Sequence, residues 1–159
     1  MGVREVREGD LPEVVAMVYG LAEYERAPDD CKLTVEQLRG ALFGPHPALF
    51  GHVAEVPETG ELAGMALWFL NFSTWEGEHG IYLEDLFVRP EHRGGGYGKA
   101  LMVELARVCE RNGYRRLQWA VLDWNQPSID FYRSLGAVPE DEWVGYRLTD
   151  DALTELASG

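Results

Sequence analysis

Between Val88 and Lys99 the chain reads Val-Arg-Pro-Glu-His-Arg-Gly-Gly-Gly-Tyr-Gly-Lys, with Gly94, Gly95, Gly96 and Gly98 filling four of five consecutive positions. Turn geometry alone calls for one or two glycines. Glycines let a ligand approach the backbone, and the first N–H groups of a following helix point outward unpaired. A turn of this composition between a strand and a helix therefore suits an anion, normally a phosphate. The local charge agrees. From Leu86 to Val103, Arg89, Arg93 and Lys99 stand against one acid, Glu91, inside a chain whose net charge is -13. Two familiar glycine motifs are excluded. The triphosphate-binding loop needs Gly-Lys-Ser/Thr, but Gly98-Lys99 is followed by Ala100 and Arg93 stands where the first glycine belongs. The dinucleotide fingerprint would end on Lys99 or Leu101, neither of them glycine.

Just upstream, Ile81 to Val88 is an apolar run interrupted by Glu84-Asp85. A carboxylate in an apolar strand is costly without a task. In a regular strand Asp85 alternates to the face opposite Glu84. The two then do not share one job, and a structural salt bridge would occupy Asp85. The four histidines (His46, His52, His79, His92) have no metal-ligand spacing, so no metal is expected, and no Ser-His-Asp arrangement is present. Trp119, Trp124 and Trp143 read as packing residues.

The elements that position these groups follow from pattern. Val3 to Arg7 alternates as a half-buried strand does. Asp10-Leu11-Pro12-Glu13 reads as a capped helix start, and apolar residues from Val14 to Ala22 carry that helix to about Tyr24. Thr34 with Gln37 forms a second capping box, for a short helix ended by Gly44-Pro45. Phe50–Val56 and Leu62–Phe72 make a hairpin around Pro57 to Gly60. After a loop around Trp75 comes the strand Ile81–Val88, then the glycine turn. A helix follows from Gly96 to about Asn112, with Gly113 at its C-terminal cap. A strand at Arg116–Leu122, a helix at Asn125–Leu135 closed by Gly136, and a last strand at Glu142–Leu148 complete the chain. The order β-α-α-β-β-β-α-β-α-β is an α/β (α+β) arrangement, a mixed sheet with helices packed on it.

At 159 residues, 46% hydrophobic and 26% charged, the chain is expected to form a single domain spanning 1–159 with its own core. Fourteen Lys+Arg against 27 Asp+Glu leave no basic face for nucleic acid and repel anionic membranes, while favouring cationic partners. Cys31 and Cys109 form no paired motif, which suggests a reducing compartment. With no signal-like start and no apolar run of membrane length, a cytoplasmic location is expected.

Arg93 to Gly98 matches the pattern [QR]-x-x-G-x-[GA] and resembles the acetyl-CoA pyrophosphate loop of the GNAT N-acetyltransferases. Ile81 to Val88 precedes it as that family's fourth strand does. Ala120 to Tyr132, followed by Gly136-Ala137, is similar to its later strand-to-helix segment. Leu21 to Glu25 and Ser73-Thr74-Trp75 place the resemblance closest to the diamine (spermidine/spermine-type) acetyltransferases and their thialysine-acetylating branch. It covers nearly the whole chain.

The resemblance implies a mostly antiparallel sheet with helices on both faces, whose fourth strand bulges and splays from the fifth. The pantetheine arm of acetyl-CoA then bonds the backbone at Leu86, Phe87 and Val88. The pyrophosphate rests on Gly94, Gly95, Gly96, Tyr97, Gly98 and Lys99, with Arg93 beside it. Asn125, with Pro127 and Ser128, holds the cofactor at the later helix start, although Asn125 is equally a simple helix cap. Glu84 takes the amine proton and Tyr132 is the general acid at the leaving sulfur. Tyr24, Glu25, Trp75, Glu84 and Glu142 form a site for a small cationic amine, to which aromatic faces and carboxylates are suited. Ser73 stands where polyamine-acetylating members carry an acid. A homodimer sharing the amine site is expected. Two other readings keep the fold, a protein or peptide amine acetyltransferase and a non-catalytic CoA-binding domain. The presence of both Glu84 and Tyr132 speaks against the latter.

Overall fold

The computed structural model describes residues 2–159, and the chain divides into two compact units, one running to Ala120 and one from Val121 to Gly159. The first holds a five-stranded sheet in sequence order: β1 (Gly2–Glu5), β2 (Phe50–Glu55), β3 (Leu62–Ser73), β4 (Glu78–Val88) and β5 (Leu117–Gln118). The first four strands pair antiparallel, and β5 joins β4 in parallel through only Ile81↔Leu117 and Tyr82↔Gln118. The strand expected over 116–122 is thus two residues long, and from Leu83 onward no strand of this unit pairs with that edge of β4. The sheet is mixed and mostly antiparallel, with a fourth and fifth strand that part company after two residue pairs.

Helices α1 (Leu11–Tyr24) and α2 (Val35–Phe43) cover one face. Their Leu11, Val14, Met17 and Leu38 form a core with Val53, Met65, Leu67 and Phe87, which register and alternation place on the same side of the sheet. Gly20 on α1 is required by this packing, since a Cβ there would come within 2.9 Å of the Phe87 ring. Helix α3 (Tyr97–Asn112) supplies a second apolar stripe of Leu101, Met102, Leu105, Val108 and Cys109. Gly113, at φ 72°, ends it in the left-handed conformation that glycine adopts without strain.

The Thr34/Gln37 capping box forms as the spacing predicts, with Thr34 Oγ1 accepting from Gln37 N at 3.1 Å. Asp10 does not cap α1. Its carboxylate takes a bidentate pair from the Arg4 guanidinium at 2.7 and 3.0 Å and the Arg7 N–H at 2.7 Å. A fixed planar fork on a carboxylate outweighs a single capping bond. Arg4 also reaches Glu55, so this network ties β1, β2 and the start of α1 together.

In the second unit α4 (Gln126–Ser134) and α5 (Asp150–Ala157) are helical. The strand expected over 142–148 is absent. After a turn at 141–142 the segment has no regular secondary structure, and it leaves Val144 78% and Tyr146 96% exposed. Alternating apolar residues make a strand only when an edge is offered to them.

The Arg4 bond is the main reason the Asp10 carboxyl lies below the usual carboxylate range. A depressed folded value gives stability that is present above the unfolded pKa near 4 and lost as the pH falls through the folded one. Asp10→Asn should therefore destabilise the protein by about 2 kcal/mol at pH 7, the scale of a charge-assisted hydrogen bond. Denaturant titration should show this difference shrinking towards pH 3. An equal loss at both pH values would assign the effect to packing.

Candidate active site

Strand β4 carries the groups singled out from the sequence, and its geometry departs from a regular strand at one place. Leu67 faces Asp85 and Trp68 faces Leu83, so Glu84 is an extra residue without a partner on β3. Such a bulge shifts the alternation by one. Ile81 and Leu83 lie on the side of Leu70 and Trp68, whereas Asp85 and Phe87 lie on the side of Leu67 and Met65, under α1. The regular alternation expected for Glu84 and Asp85 therefore fails at this point.

The salt bridge expected for Asp85 does not form either. Asp85 is half-buried, and no cation enters its electrostatic surroundings. Burial first, and then the negative charges of Glu84 and Glu25, push its carboxyl up to about 6. Burial also raises Glu25, the residue that closes α1. Glu25, Glu84 and Asp85 thus make an uncompensated acidic cluster between the end of α1 and the bulge. Its members carry the right charge for a cationic ligand. Sequence reasoning does not place Asp85 in this cluster, because the bulge that turns it under α1 leaves no mark in a run reading Leu-Glu-Asp-Leu.

At the far end of β4 the chain passes through a 3-10 turn, Pro90–His92, into the glycine turn. Gly94 and Gly96 have φ of 82° and 85°, where side chains are strained. A Cβ on Gly95 would lie 3.0 Å from the Tyr97 ring and 3.3 Å from the His92 carbonyl. No side chain caps α3, and the first N–H group with a helical partner is that of Ala100, bonded to Gly96 O at 3.0 Å. The N–H groups of Tyr97, Gly98 and Lys99 precede it, which is the donor set an anion at a helix start requires. The glycines and the open start of α3 fit a pyrophosphate. The β4 edge from Leu83 to Val88 fits an extended chain that pairs with strand backbone.

Arg93 is engaged on the α1 side. Its Nε donates to Val88 O at 3.0 Å, and its guanidinium lies over the rings of Tyr24 at 5.2 Å and Phe87 at 5.5 Å. It links the start of the glycine turn to the end of α1, two segments the sequence assigns to different ligands. Tyr24 is accordingly brought to the β4 face. Trp75 is not. It stands 93% exposed at the tip of the β3–β4 hairpin, about 20 Å from Glu84 by strand rise.

In the second unit Asn125 caps α4, its Oδ1 accepting from Ser128 N at 3.4 Å, with Pro127 in the first turn. Tyr132 lies two turns on, beside Phe131 at 5.6 Å between rings. Glu142 is exposed in a turn. The structure also gathers Glu61, Glu91 and His92 within 4.8 Å of one another, a group that sequence spacing cannot show. Arg89 approaches Glu61 at 3.9 Å and shares its charge.

A family model described as the acetyltransferase (GNAT) family matches residues 14–137. The chain is 38% identical over 164 residues to a thialysine N-epsilon-acetyltransferase of Sus scrofa, covering 98% of this chain and 96% of that protein. It is 33% identical to the enzyme of that name from Caenorhabditis elegans, covering 91% and 89%. Among solved structures, an integron cassette protein from the V. cholerae mobile metagenome superposes with a TM-score of 0.82 at 25% identity, over 99% of this chain and 98% of that one.

The acidic cluster makes a testable statement about stability. A carboxyl raised to about 6 in the folded state favours folding below its unfolded value near 4, and that contribution is lost as the pH rises through 6. Asp85→Asn should therefore raise the melting temperature at pH 7.5. The gain should be at most about 3 kcal/mol, at roughly 1.4 kcal/mol per tenfold change in proton affinity. It should fade by pH 4.5. A variant less stable at pH 7.5 would mean that Asp85 has a cationic partner.

Proposed function

The chain belongs to the GNAT acetyltransferase family, and from that premise we propose that it acetylates the primary amine of a small cation of the thialysine or short-diamine type. One observation carries the reading. A single strand ends in a glycine turn that suits an anion and, at its bulge, carries Glu84 and Asp85, which with Glu25 of α1 form an acidic cluster without a counter-cation.

Acetyl-CoA, the family's co-substrate, supplies the acetyl group. Its pyrophosphate is assigned to the turn from Gly94 to Lys99 and its arm to the backbone of Leu86 to Val88. An alkylamine with a pKa near 10.4 is only about one part in a thousand neutral at pH 7.4, so transfer requires a proton acceptor. Glu84, exposed at the bulge, takes that proton directly or through water. Asp85 and Glu25 hold the cation in place, and Tyr24, fixed by Arg93, lines the same end of α1. Tyr132 donates its hydroxyl proton to the departing sulfur. Asn125, Pro127 and Ser128 are assigned to the cofactor as the start of α4.

Two features favour a short amine over a long polyamine. Ser73 is buried, and its Oγ accepts the Glu76 N–H at 3.2 Å, so it offers no charge to a distant ammonium. The relatives matched over nearly their full length bear thialysine in their names. A thialysine sulfur near the reacting amine lowers that amine's pKa by induction, which leaves less proton removal to Glu84.

A homodimer completes the proposal, with Trp75 and Glu142 serving the amine site from across the interface. The exposure of Trp75, Trp143, Val144 and Tyr146 supports it, since a lone chain leaves these large side chains in water. No helix among the described residues is long and apolar enough to cross a membrane. A cytoplasmic location is part of the proposal, supported by the free cysteines Cys31 and Cys109.

A thiol-release assay with an amine panel tests the reading. Thialysine or a short diamine should exceed spermine in kcat/KM, with rates rising through neutral pH. A tenfold preference for spermine, about 1.4 kcal/mol of transition-state discrimination, would overturn the branch assignment. No turnover of any amine would leave only a CoA-binding domain.

The acid role is checked separately. Tyr132→Phe should lower kcat by about 10²–10⁴, the range of general acid help, while acetyl-CoA affinity measured by calorimetry stays unchanged. Near-normal turnover would make Tyr132 a packing partner of Phe131.

A further inference from the structure

One cavity of the first unit lies away from the glycine turn. It measures about 440 Å³ and opens where the last turn of α3 meets the β1–β2 end of the sheet. Helix α3 is 16 residues long, so the cavity is roughly 20 Å from the turn at its other end. Its sheet wall is formed by Phe50, His52 and Trp68. Register puts these side chains on the face opposite Leu67, and hence opposite Asp85.

The three rings make a flat wall. Phe50 and Trp68 stack at 4.8 Å with 26° between planes, and His52 lies 6.0 Å from Trp68 at 18°. His52 is only 4% exposed. Its Nδ1 accepts the indole N–H of Trp68 at 3.1 Å. That bond fixes the tautomer, because an accepting Nδ1 carries no hydrogen and the ring proton must sit on Nε2. Burial lowers the pKa of His52, and the charges around it are Glu104, Glu5 and Arg111. The ring is therefore neutral in the physiological range. No described residue accepts from its Nε2, and that atom is not among the fully enclosed ones. The buried ring thus turns one N–H donor into the cavity.

The rest of the lining shows which ligand this suits. Leu49, Leu70 and Val108 are apolar. The cation at the rim, Arg111, is bonded to Glu104 at 3.0 Å, and the Asn112 amide is bonded to Val108 O at 2.8 Å. The cavity has the size of a small-molecule pocket and offers stacking surface and one oriented donor, with the exposed Glu5 carboxylate also among its lining residues.

We propose that this cavity is a second ligand site, distinct from the acetyl-transfer site, for a neutral planar aromatic molecule whose carbonyl oxygen accepts from His52 Nε2. It stands independently of the acetyltransferase reading. Trp68 belongs to both places, since it forms the cavity wall and is the β3 residue at the edge of the bulge that sets Glu84 and Asp85.

Benzamide is a suitable probe, followed by ¹⁵N-resolved NMR on the full chain. The Trp68 indole N–H and the amides of Val108 to Asn112 should shift together and saturably, while those of Gly94 to Lys99 stay in place. His52→Phe keeps an aromatic wall and removes the donor, and should weaken binding about tenfold, the worth of one hydrogen bond to a buried group. Val108→Trp should fill the cavity and abolish the shifts, with acetyl-CoA affinity unchanged as evidence of a native fold. The proposal is overturned by an absence of saturable shifts up to the solubility of benzamide, by shifts centred on Gly94 to Lys99, or by equal affinity in His52→Phe.

Discussion

The arrangement of this molecule turns on one extra residue in β4. Without Glu84 in excess, β3 and β4 would run in continuous register, and Asp85 would share the face of Leu83 and Trp68. With it, the ladder skips from Leu83 to Asp85. The part of β4 beyond the bulge then presents Asp85 and Phe87 to α1. Phe87 is drawn into the core against Gly20, which fixes the distance between α1 and β4. Asp85 is carried inward with it, and its carboxylate becomes half-buried beside Glu84 and Glu25. The same displacement keeps Trp68 on the opposite face, where it stacks on Phe50 and receives the hydrogen bond partner His52. A local change of register thus decides which side chains belong to which face.

Two fields of opposite sign result along one short path of chain. The bulge is acidic, whereas the turn ten residues later is lined by N–H groups and basic side chains. Arg93 lies between them and is committed to the acidic side through Val88 O and the Tyr24 ring. An arginine stacked on aromatic rings keeps its charge without needing a carboxylate partner. The acids at the bulge therefore stay unneutralised, although a guanidinium anchors at the end of the same strand.

Much of this was legible beforehand, for reasons that differ by element. The α2 start was readable because Thr34 and Gln37 satisfy each other locally, with no tertiary partner involved. The α3 boundaries were readable because Gly96 and Gly113 occupy conformations that other residues resist. The glycine turn was readable from composition and local charge. Reading failed where the outcome depends on a remote partner. Asp10 has a good capping sequence, yet Arg4 offers it a better bond. Residues 142–148 alternate as a strand does, but no edge receives them. The β5 region keeps its apolar character while pairing at only two residues. Asp85 was misread because alternation was applied across a bulge. His52 carried no sign of its role, because the tautomer that matters is set by Trp68, sixteen residues away.

The acidic cluster also bears on how the molecule divides stability from function. A half-buried carboxylate facing two others opposes the fold at neutral pH, and natural chains remove such groups unless something compensates. Other part-buried carboxylates of the same unit have partners. Asp10 has Arg4, and Glu104 has Arg111. At Asp85 such a partner is missing, although Arg93 anchors only three residues away, on Val88 O. The carboxyl is therefore left beside two other acids with no cation among its electrostatic neighbours. A bound ammonium lowers the carboxyl pKa by the same Coulomb term through which Glu84 and Glu25 raise it. Binding and deprotonation of Asp85 then favour each other.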